Sequence, residues 1–454
     1  MPAIHPLTDE GLGNSAWLVE LGDGGALVVD PARDPTPYLE LARARRLRVA
    51  FTAETHLHAD FLTGSRELAA ADGALVLAPR ASLLGFAHRG LDDGERVDLG
   101  GLALRALATP GHAPEHLAWL LLDGERPLAL FSGGALLAGT VARTDLVAPE
   151  LTEPLARAAW RSAQALLRLP DELAVYPTHG AGSFCAAPAG DERTTTIGGE
   201  RRGRLLAAPD EDAFVAELLA GQGTYPPYFL RLRARNQAGP ELLGAGWRRL
   251  PALPLERARR LLADGAALVD ARPTDAFAAG HVPGALSIAL RPQFATWVGW
   301  LLDDRQPLLF VLDRGQDRGE LVRQCRTIGY DRLAGELDGG MAAWRAAGLP
   351  EGRVPLVRPG QLGDPPGPVL DVRQASEVAA GHLPGAVNVE LGQLGRDPAG
   401  QAPPGSPLTV TCAAGERAMT GASLLARAGR GGLRVLRGSP EGWARATGHP
   451  LARP

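Results

Sequence analysis

An internal repeat in the second half of the chain constrains its fold more than any other feature. Residues 269–288 read VDARPTDAFAAGHVPGALSI, and residues 370–389 read LDVRQASEVAAGHLPGAVNV. The two copies lie about 100 residues apart, a spacing that is the size of a domain and too long for a solenoid repeat. Each copy reads as a strand, a GH-x-PGA loop, a second strand and a helix. We therefore predict two α/β domains with parallel sheets.

The length of 454 residues suggests three domains, because a domain usually spans ~100–200 residues. We place the first domain at residues 1–240 and the two repeat copies at 247–350 and 355–454. The segments 236–246 and 348–355 are rich in Gly and Pro, which is typical of linkers. The sequence thus predicts one unique domain followed by a duplicated one.

The first domain is predicted to be a sandwich of two sheets between helices. Residues 14–30 form two apolar runs around a GDGG turn, the pattern of a β-hairpin. Further short apolar runs alternate with helical stretches such as residues 150–169. Polar residues gather at the ends of the predicted strands, as in layered folds of sheets and helices. The fold class of the whole chain is therefore mixed α/β and α+β.

Composition excludes several classes of function. The net charge is −4, which argues against nucleic acid or an anionic membrane as a partner. All 47 basic residues are Arg, so lysine Schiff-base chemistry and P-loop phosphate binding are excluded. The three cysteines make a poor disulfide framework. The N-terminus lacks a signal-peptide pattern, and no apolar stretch reaches the ~18 residues of a spanning helix. We expect a cytoplasmic protein and leave a homo-oligomer open.

Four histidines of the first domain stand where apolar runs end in loops. His56 and His58 belong to the run THLHAD, which also contains Asp60; His112 ends TPGH, and His179 lies in PTHG. Alternate side chains of a strand point to the same side, so His56 and His58 can converge on one ion. Imidazole is a ligand for iron, zinc, nickel and copper. The pattern predicts a metal site at the strand ends.

In the second repeat copy, a predicted strand ends at Cys412. The residues Ala413, Ala414, Gly415 and Glu416 then lead through Arg417 into a helix. A thiol in such a loop faces unpaired backbone N–H groups and the positive end of the helix. These groups lower the pKa of a thiol and can hold the anionic terminal sulfur of a persulfide. We expect the Arg417 guanidinium to bind the oxygens of sulfite or thiosulfate.

The first copy has lost this chemistry in our alignment. Leu312 takes the place of Cys412, and Asp317 the place of Arg417. We therefore predict an inactive domain, in which Cys325 lies on the following helix as a packing residue.

The motifs VVDP, THLHAD, TPGH and PTHG occur in the order typical of the metallo-β-lactamase fold. ETHLHADF, TPGHAPEHLAWLL, THGAGSFC and TTIGGE resemble its persulfide dioxygenase branch. CAAGER and the tandem repeat resemble a pair of rhodanese domains. The whole chain thus resembles the persulfide dioxygenase–rhodanese fusion family. The resemblance implies His56 and His112 as Fe(II) ligands, with Asp60 and His179 as supporting groups. It also suggests Cys185 as a sulfur relay, although a small buried hydrophobe is the plainer interpretation.

Two departures from the family pattern bear on the metal. Phe61 stands where dinuclear hydrolases of this fold have a further His, and Gly134 stands where the family has an Asp ligand. Three interpretations remain open: a three-histidine site of His56, His58 and His112 that holds Fe(II) or zinc, a two-histidine site completed by water or Asp60, and a degenerate site without metal.

The function implied by the resemblance is thiol-persulfide metabolism linked to hydrogen sulfide. A low-molecular-weight thiol persulfide, such as that of glutathione, is oxidised by O2 to sulfite, and Cys412 transfers sulfur between persulfides, sulfite and thiosulfate. The first alternative is a sulfur carrier that oxidises nothing. The second is a zinc thioester hydrolase of the glyoxalase II type, against which Phe61 and Gly134 both count.

Overall fold

A computed structural model describes residues 2–186 and 192–453. The chain forms two compact units: Met1–Trp247 with Arg326–Gly329, and Arg248–Cys325 with Tyr330–Pro454. Both repeat copies lie in the second unit. Among the helices of the described residues, none is both long and apolar enough to cross a membrane.

The first unit contains two six-stranded sheets. The predicted hairpin is confirmed, since β2 pairs with β3 in antiparallel fashion. The first sheet has the order β1-β2-β3-β4-β5-β6 and the second β12-β11-β10-β9-β8-β7. The strands are β1 (Ile4–Asp9), β2 (Asn14–Glu20), β3 (Gly25–Val29), β4 (Arg48–Ala53), β5 (Leu75–Pro79), β6 (Arg89–Leu91), β7 (Arg96–Asp98), β8 (Ala103–Ala108), β9 (Leu117–Asp123), β10 (Arg126–Gly133), β11 (Ala174–Pro177) and β12 (Thr195–Thr196).

Helices cover the outer faces of both sheets. They are α1 (Thr36–Ala44), α2 (Ser65–Asp72), α3 (Thr152–Leu166), α4 (Ile197–Arg201), α5 (Glu211–Gly221) and α6 (Phe229–Ala238), with short 3₁₀ turns at Arg80–Ser82 and Pro149–Leu151.

The alternation of side chains along β2 explains the layering. Trp17 and Val19 pack into the core between the two sheets, whereas Ala16 and Leu18 pack into the core beneath α1 and α2. Successive side chains point to opposite faces of a strand, so a strand buried on both faces reads as a continuous apolar run. A third core lies between the second sheet and α3 and α5. The predicted sandwich of two sheets between helices is confirmed.

The second unit contains two five-stranded parallel sheets with the same topology. The first copy has the order β13-β17-β16-β14-β15 and the second β18-β22-β21-β19-β20. The strands are β13 (Ala252–Leu253), β14 (Ala267–Asp270), β15 (Leu286–Ser287), β16 (Leu308–Val311), β17 (Leu333–Leu337), β18 (Leu356–Val357), β19 (Val369–Asp371), β20 (Val387–Asn388), β21 (Leu408–Thr411) and β22 (Leu433–Leu436).

The helices of this unit also recur in corresponding places of the two copies. They are α7 (Leu255–Ala263), α8 (Thr274–Ala279), α9 (Phe294–Leu301), α10 (Arg318–Thr327), α11 (Gly340–Ala346), α12 (Ala375–Ala380), α13 (Leu391–Leu394), α14 (Pro398–Gln401), α15 (Glu416–Arg427) and α16 (Pro440–Thr447), with a 3₁₀ turn at Pro359–Gln361.

A buried Asp–Arg pair braces each copy. The Asp270 and Arg272 side chains approach to 2.7 Å, and the Asp371 and Arg373 side chains approach to 2.8 Å. In both copies the Arg also donates to the carbonyl of the Gly that begins the GH-x-PGA loop. The pair occurs both in the copy with the loop cysteine and in the copy without it, which identifies it as part of the scaffold.

Candidate functional site

Three histidines of the first unit come together where strands end. His56 follows β4, His112 follows β8 and His179 follows β11. The ring centroids of His56 and His112 lie 4.7 Å apart, those of His56 and His179 5.5 Å, and those of His112 and His179 5.2 Å. One nitrogen of each ring lies within 4.8 Å of the others. All three side chains are buried.

The hydrogen bonds of His56 and His112 fix which nitrogen carries the proton. The His112 Nδ1 lies 2.7 Å from the Arg143 carbonyl oxygen and must donate to it. The His56 Nδ1 lies 2.9 Å from the Thr55 Oγ1, a hydroxyl that donates its own proton to Asp30. Each Nε2 is therefore left with a free lone pair. Burial lowers the pKa of both rings well below the usual value, which keeps them neutral.

His179 is oriented in the same way. Its Nδ1 lies 3.0 Å from the Asn14 Oδ1, while the Asn14 amide donates to Asp60 at 2.7 Å. Asp60 also lies 3.4 Å from this ring. The Nε2 atoms of His56 and His179 are buried and have no hydrogen-bond partner among the described residues. Metal-ligating histidines show this arrangement, in which the other nitrogen is held by a carbonyl, amide or carboxylate.

The donor set therefore fits a divalent transition metal. Three imidazoles suit zinc and iron, and they leave coordination positions open for a substrate. In this group His179 stands with His56 and His112, where the sequence expectation named His58 and gave His179 a supporting role.

His58 faces carboxylates instead. Its Nε2 lies 3.1 Å from the Asp30 Oδ1 and 3.5 Å from the Glu54 Oε2. Burial lowers the pKa of His58, but the two carboxylates outweigh that effect and raise it to about 10. A doubly protonated imidazole has no lone pair for a metal. His58 also lies near Asp60 and His179, and its ring stacks on Phe61 with centroids 4.2 Å apart.

Gly134 lies directly beside the histidine group. A Cβ atom added there would lie 2.7 Å from the His112 Cδ2 and 3.0 Å from the Ala142 Cβ. The Gly134 N–H donates to the His116 Nε2 at 3.0 Å, so His116 is engaged in the scaffold. The position that a carboxylate ligand would occupy is thus adjacent to the site, but a side chain there requires the His112 ring to shift.

Cys185 is fully buried and does not line an exposed rim, contrary to the relay expectation. Burial raises the pKa of its thiol well above the usual value, and the Asp60 carboxylate raises it further. A protonated, enclosed thiol is a poor nucleophile. The structure favours the packing interpretation.

Cys412 occupies a second candidate site, at the C-terminal end of β21. Its Sγ accepts hydrogen bonds from the backbone N–H groups of Gly415 at 3.0 Å and Ala418 at 3.3 Å. Gly415 has a φ of +110°, which lets the loop turn back over the sulfur. The residue is 1 % exposed, whereas Ala413 and Ala414 of the same loop are exposed.

Arg417 differs from its sequence expectation. Both guanidinium Nη atoms donate to the Glu377 carboxylate, at 2.6 and 2.7 Å. The planar fork that was expected to bind sulfite or thiosulfate is therefore occupied by a residue of α12. Glu416, the first residue of α15, contributes a second carboxylate beside the loop.

The register of the sheets aligns the two copies. Asp270 pairs with Val311 as Asp371 pairs with Thr411, so Leu312 takes the place of Cys412, as predicted. The loop before the helix is longer in the first copy, and Asp317 accepts a hydrogen bond from the Glu320 N–H at 3.0 Å. The helices α10 and α15 end at Thr327 and Arg427, 100 residues apart, so Asp317 stands at the position of Arg417 and there caps α10. Its carboxylate occupies the helix end that an anion would need.

The sequence matches two family models. The Metallo-beta-lactamase superfamily model matches residues 9–179, and the Rhodanese-like domain model matches residues 255–347 and 360–446. These ranges include all the candidate metal-binding histidines and Cys412.

Individual relatives agree with these matches. A hydroxyacylglutathione hydrolase of Methylobacillus flagellatus is 36% identical over 168 residues, 37% of this chain and 62% of the relative. The human mitochondrial persulfide dioxygenase ETHE1 is 30% identical over 172 residues, 37% of this chain and 64% of the relative. The chain thus spans about three fifths of the length of these curated relatives.

A solved structure covers more of the chain. A metallo-beta-lactamase from Staphylococcus aureus superposes with a TM-score of 0.66 at 27% identity, covering 74% of this chain and 98% of that one. Together with the family matches, this likeness confirms the predicted domain order. The chain joins a metallo-beta-lactamase superfamily domain to two rhodanese-like domains.

Proposed function

We propose that this protein acts in thiol-persulfide metabolism and that its second rhodanese-like domain transfers sulfur through a persulfide of Cys412. The observation that carries the proposal is the pair of backbone N–H groups aimed at the Cys412 Sγ, 3.0 and 3.3 Å away. N–H donors at a helix N-terminus stabilise a thiolate. The same environment suits the terminal sulfur of a persulfide, which is also an anion.

With thiosulfate as the donor, the Cys412 thiolate attacks the sulfane sulfur. A new S–S bond forms, the S–S bond of thiosulfate breaks, and sulfite leaves with the electron pair. In the second step an acceptor thiolate attacks the outer sulfur of the Cys412 persulfide, which yields the acceptor persulfide and restores the Cys412 thiolate. Neither step needs an external oxidant, because the sulfane sulfur keeps its oxidation state.

The test is intact-protein mass spectrometry after incubation with thiosulfate, together with thiosulfate:thiol sulfurtransferase assays. The parent protein should gain one sulfur atom on Cys412, and Cys412→Ser should lose both the adduct and the activity. Cys325→Ser is the matched control, because Cys325 is a buried cysteine on α10. Activity that survives Cys412→Ser would refute the assignment.

For the first domain we propose that His56, His112 and His179 hold Fe(II) for the O2-dependent oxidation of a low-molecular-weight thiol persulfide. In that reaction a persulfide, O2 and water yield a thiol and sulfite. The buried unpaired Nε2 atoms support a metal, and the likeness to a persulfide dioxygenase supports the reaction. When bound, the metal supplies open positions for the sulfur substrate and oxygen.

The protein groups around this site orient the histidine rings and fill the space that a further metal ligand would need. The Arg143 carbonyl holds His112 through its Nδ1, and Asn14 holds His179. Phe61 fills the space beside His58 where a dinuclear hydrolase has a further His ligand. The charged pair of His58 with Asp30 lies behind the ligands and keeps the fold of the loop.

A zinc thioester hydrolase remains the second candidate, since three histidines are also a zinc ligand set and relatives include hydroxyacylglutathione hydrolases. Metal analysis and two assays distinguish the candidates. Stoichiometric iron with O2 uptake on glutathione persulfide supports the dioxygenase. Zinc with hydrolysis of an acyl-glutathione thioester would overturn it, and a purified protein that binds neither metal on reconstitution would leave only a sulfur carrier.

A further inference from the structure

The second unit contains a cavity of 390 Å³ that both rhodanese-like domains line. Residues 414–416 of the Cys412 loop form one wall, and residues 289–291, which follow β15 of the first copy, form another. Cys412 is itself nearly buried, so a substrate has to approach it past this loop. The domain that lacks the loop cysteine therefore lines the path by which a substrate reaches Cys412.

Arg291 is the residue of the first copy that brings positive charge to this cavity. Its guanidinium donates to the neutral Gln293 side chain at 2.9 Å and lies within 4 Å of no carboxylate among the described residues. The two other arginines near the loop are neutralised. Arg437 pairs with Asp275 at 2.6 Å, and Arg417 pairs with Glu377 at 2.6 Å.

We propose that Arg291 binds the carboxylate of the low-molecular-weight thiol that exchanges sulfur with Cys412. The inference rests on the proposed sulfur transfer. An unpaired guanidinium in a partly enclosed site is suited to a carboxylate, which it can bind with two parallel hydrogen bonds. The Glu416 carboxylate also lines the cavity, and it repels a substrate that carries only negatively charged groups.

The size of the cavity favours a thiol over a small inorganic anion. Pockets of about 300–1,000 Å³ enclose molecules of many heavy atoms, whereas sulfite and thiosulfate have only four and five. A carboxylate at Arg291 places the rest of the thiol in the cavity, with its sulfur toward the loop of residues 414–416. This assignment gives the inactive copy a role in recognition.

The test compares acceptor thiols in the sulfurtransferase assay of the full chain. 3-Mercaptopropionate carries a carboxylate, and 2-mercaptoethanol does not. In Arg291→Gln the KM for 3-mercaptopropionate should rise about tenfold or more, with the KM for 2-mercaptoethanol unchanged and the Cys412 persulfide formed from thiosulfate as in the parent. Arg291→Lys should recover part of the loss. Arg314→Gln, an exposed arginine of the same domain, is the matched control.

Three outcomes would overturn the proposal. One is an unchanged KM for both thiols, and another is an equal loss with both. The third is a defect confined to persulfide formation from thiosulfate, which would assign Arg291 to the donor oxyanion. A parent protein that forms no Cys412 persulfide would instead refute the proposed function, and mass spectrometry distinguishes that result from the other three.

Discussion

Replacing His58 and His179 separately distinguishes a structural histidine from a ligand. The His58 ring lies between Asp30, 3.1 Å away, and Glu54, 3.5 Å away. Asp30 accepts hydrogen bonds from the Thr55 N–H and hydroxyl, and Glu54 accepts from two further hydroxyls. Burial raises the pKa of Asp30, but His58 and the hydrogen bonds outweigh that effect and lower it, which holds this carboxylate as an anion. His58→Ala leaves both carboxylates buried without the imidazole between them.

Removing one partner of a buried ion pair costs about 3–5 kcal/mol. For a unit of this size, that loss lowers the unfolding midpoint by about 6–20 °C. His179→Ala removes a hydrogen bond to Asn14 and a contact with Asp60 at 3.4 Å, and its cost of about 1–3 kcal/mol is smaller. For metal affinity, by contrast, His179→Ala should cause the larger loss of the two variants. We expect His179→Ala to weaken binding by at least ~10–100-fold, a loss already seen when groups behind the ligands are removed.

The measurements are thermal unfolding of the chelator-treated full chain and titration with Fe(II) or Zn²⁺. His88→Ala, which alters a partly exposed histidine of the same unit, controls for the removal of an imidazole. The reasoning is refuted if His58→Ala unfolds at the parent temperature but loses metal while His179→Ala binds metal like the parent.

Three further predictions concern single positions. Gly134→Asp should raise iron occupancy and O2 uptake. It should also lower the unfolding midpoint of the metal-free protein, because its Cβ would lie 2.7 Å from the His112 Cδ2. The control Gly134→Ala should show only the lower unfolding midpoint, and equal iron occupancy in both variants would contradict the prediction. Glu377→Gln should lower the KM for thiosulfate about two- to tenfold by freeing the Arg417 fork, and a raised KM in the sulfurtransferase assay would show that the pair positions the loop. Leu312→Cys should gain no stable persulfide by mass spectrometry, since the longer loop of the first copy ends in a capping carboxylate; a stable adduct there would disprove this.

The layers of the first unit and the duplicated domains of the second could be predicted from local patterns. Apolar runs, turn residues and the repeat are properties of short segments, and the structure confirms what they indicated. The grouping of histidines could be predicted only in part. The strand ends placed His56 and His112 together, but the choice between His58 and His179 depends on Asp30 and Asn14, which lie far from them in sequence.

A comparison of the two copies contains a sequence signal for the partner of Arg417. The Asp–Arg brace recurs in both copies, so the scaffold requires it. Glu377, the third residue of α12, corresponds to Ala276 of α8. Arg417 corresponds to Asp317, because α15 and α10 end 100 residues apart, at Arg427 and Thr327. Both members of the Glu377–Arg417 pair are therefore missing where the cysteine is missing. Because this pair disappears together with the nucleophile, we infer that it serves the chemistry of Cys412 and not the fold. The two copies thus separate the residues that build the domain from those that serve the thiol.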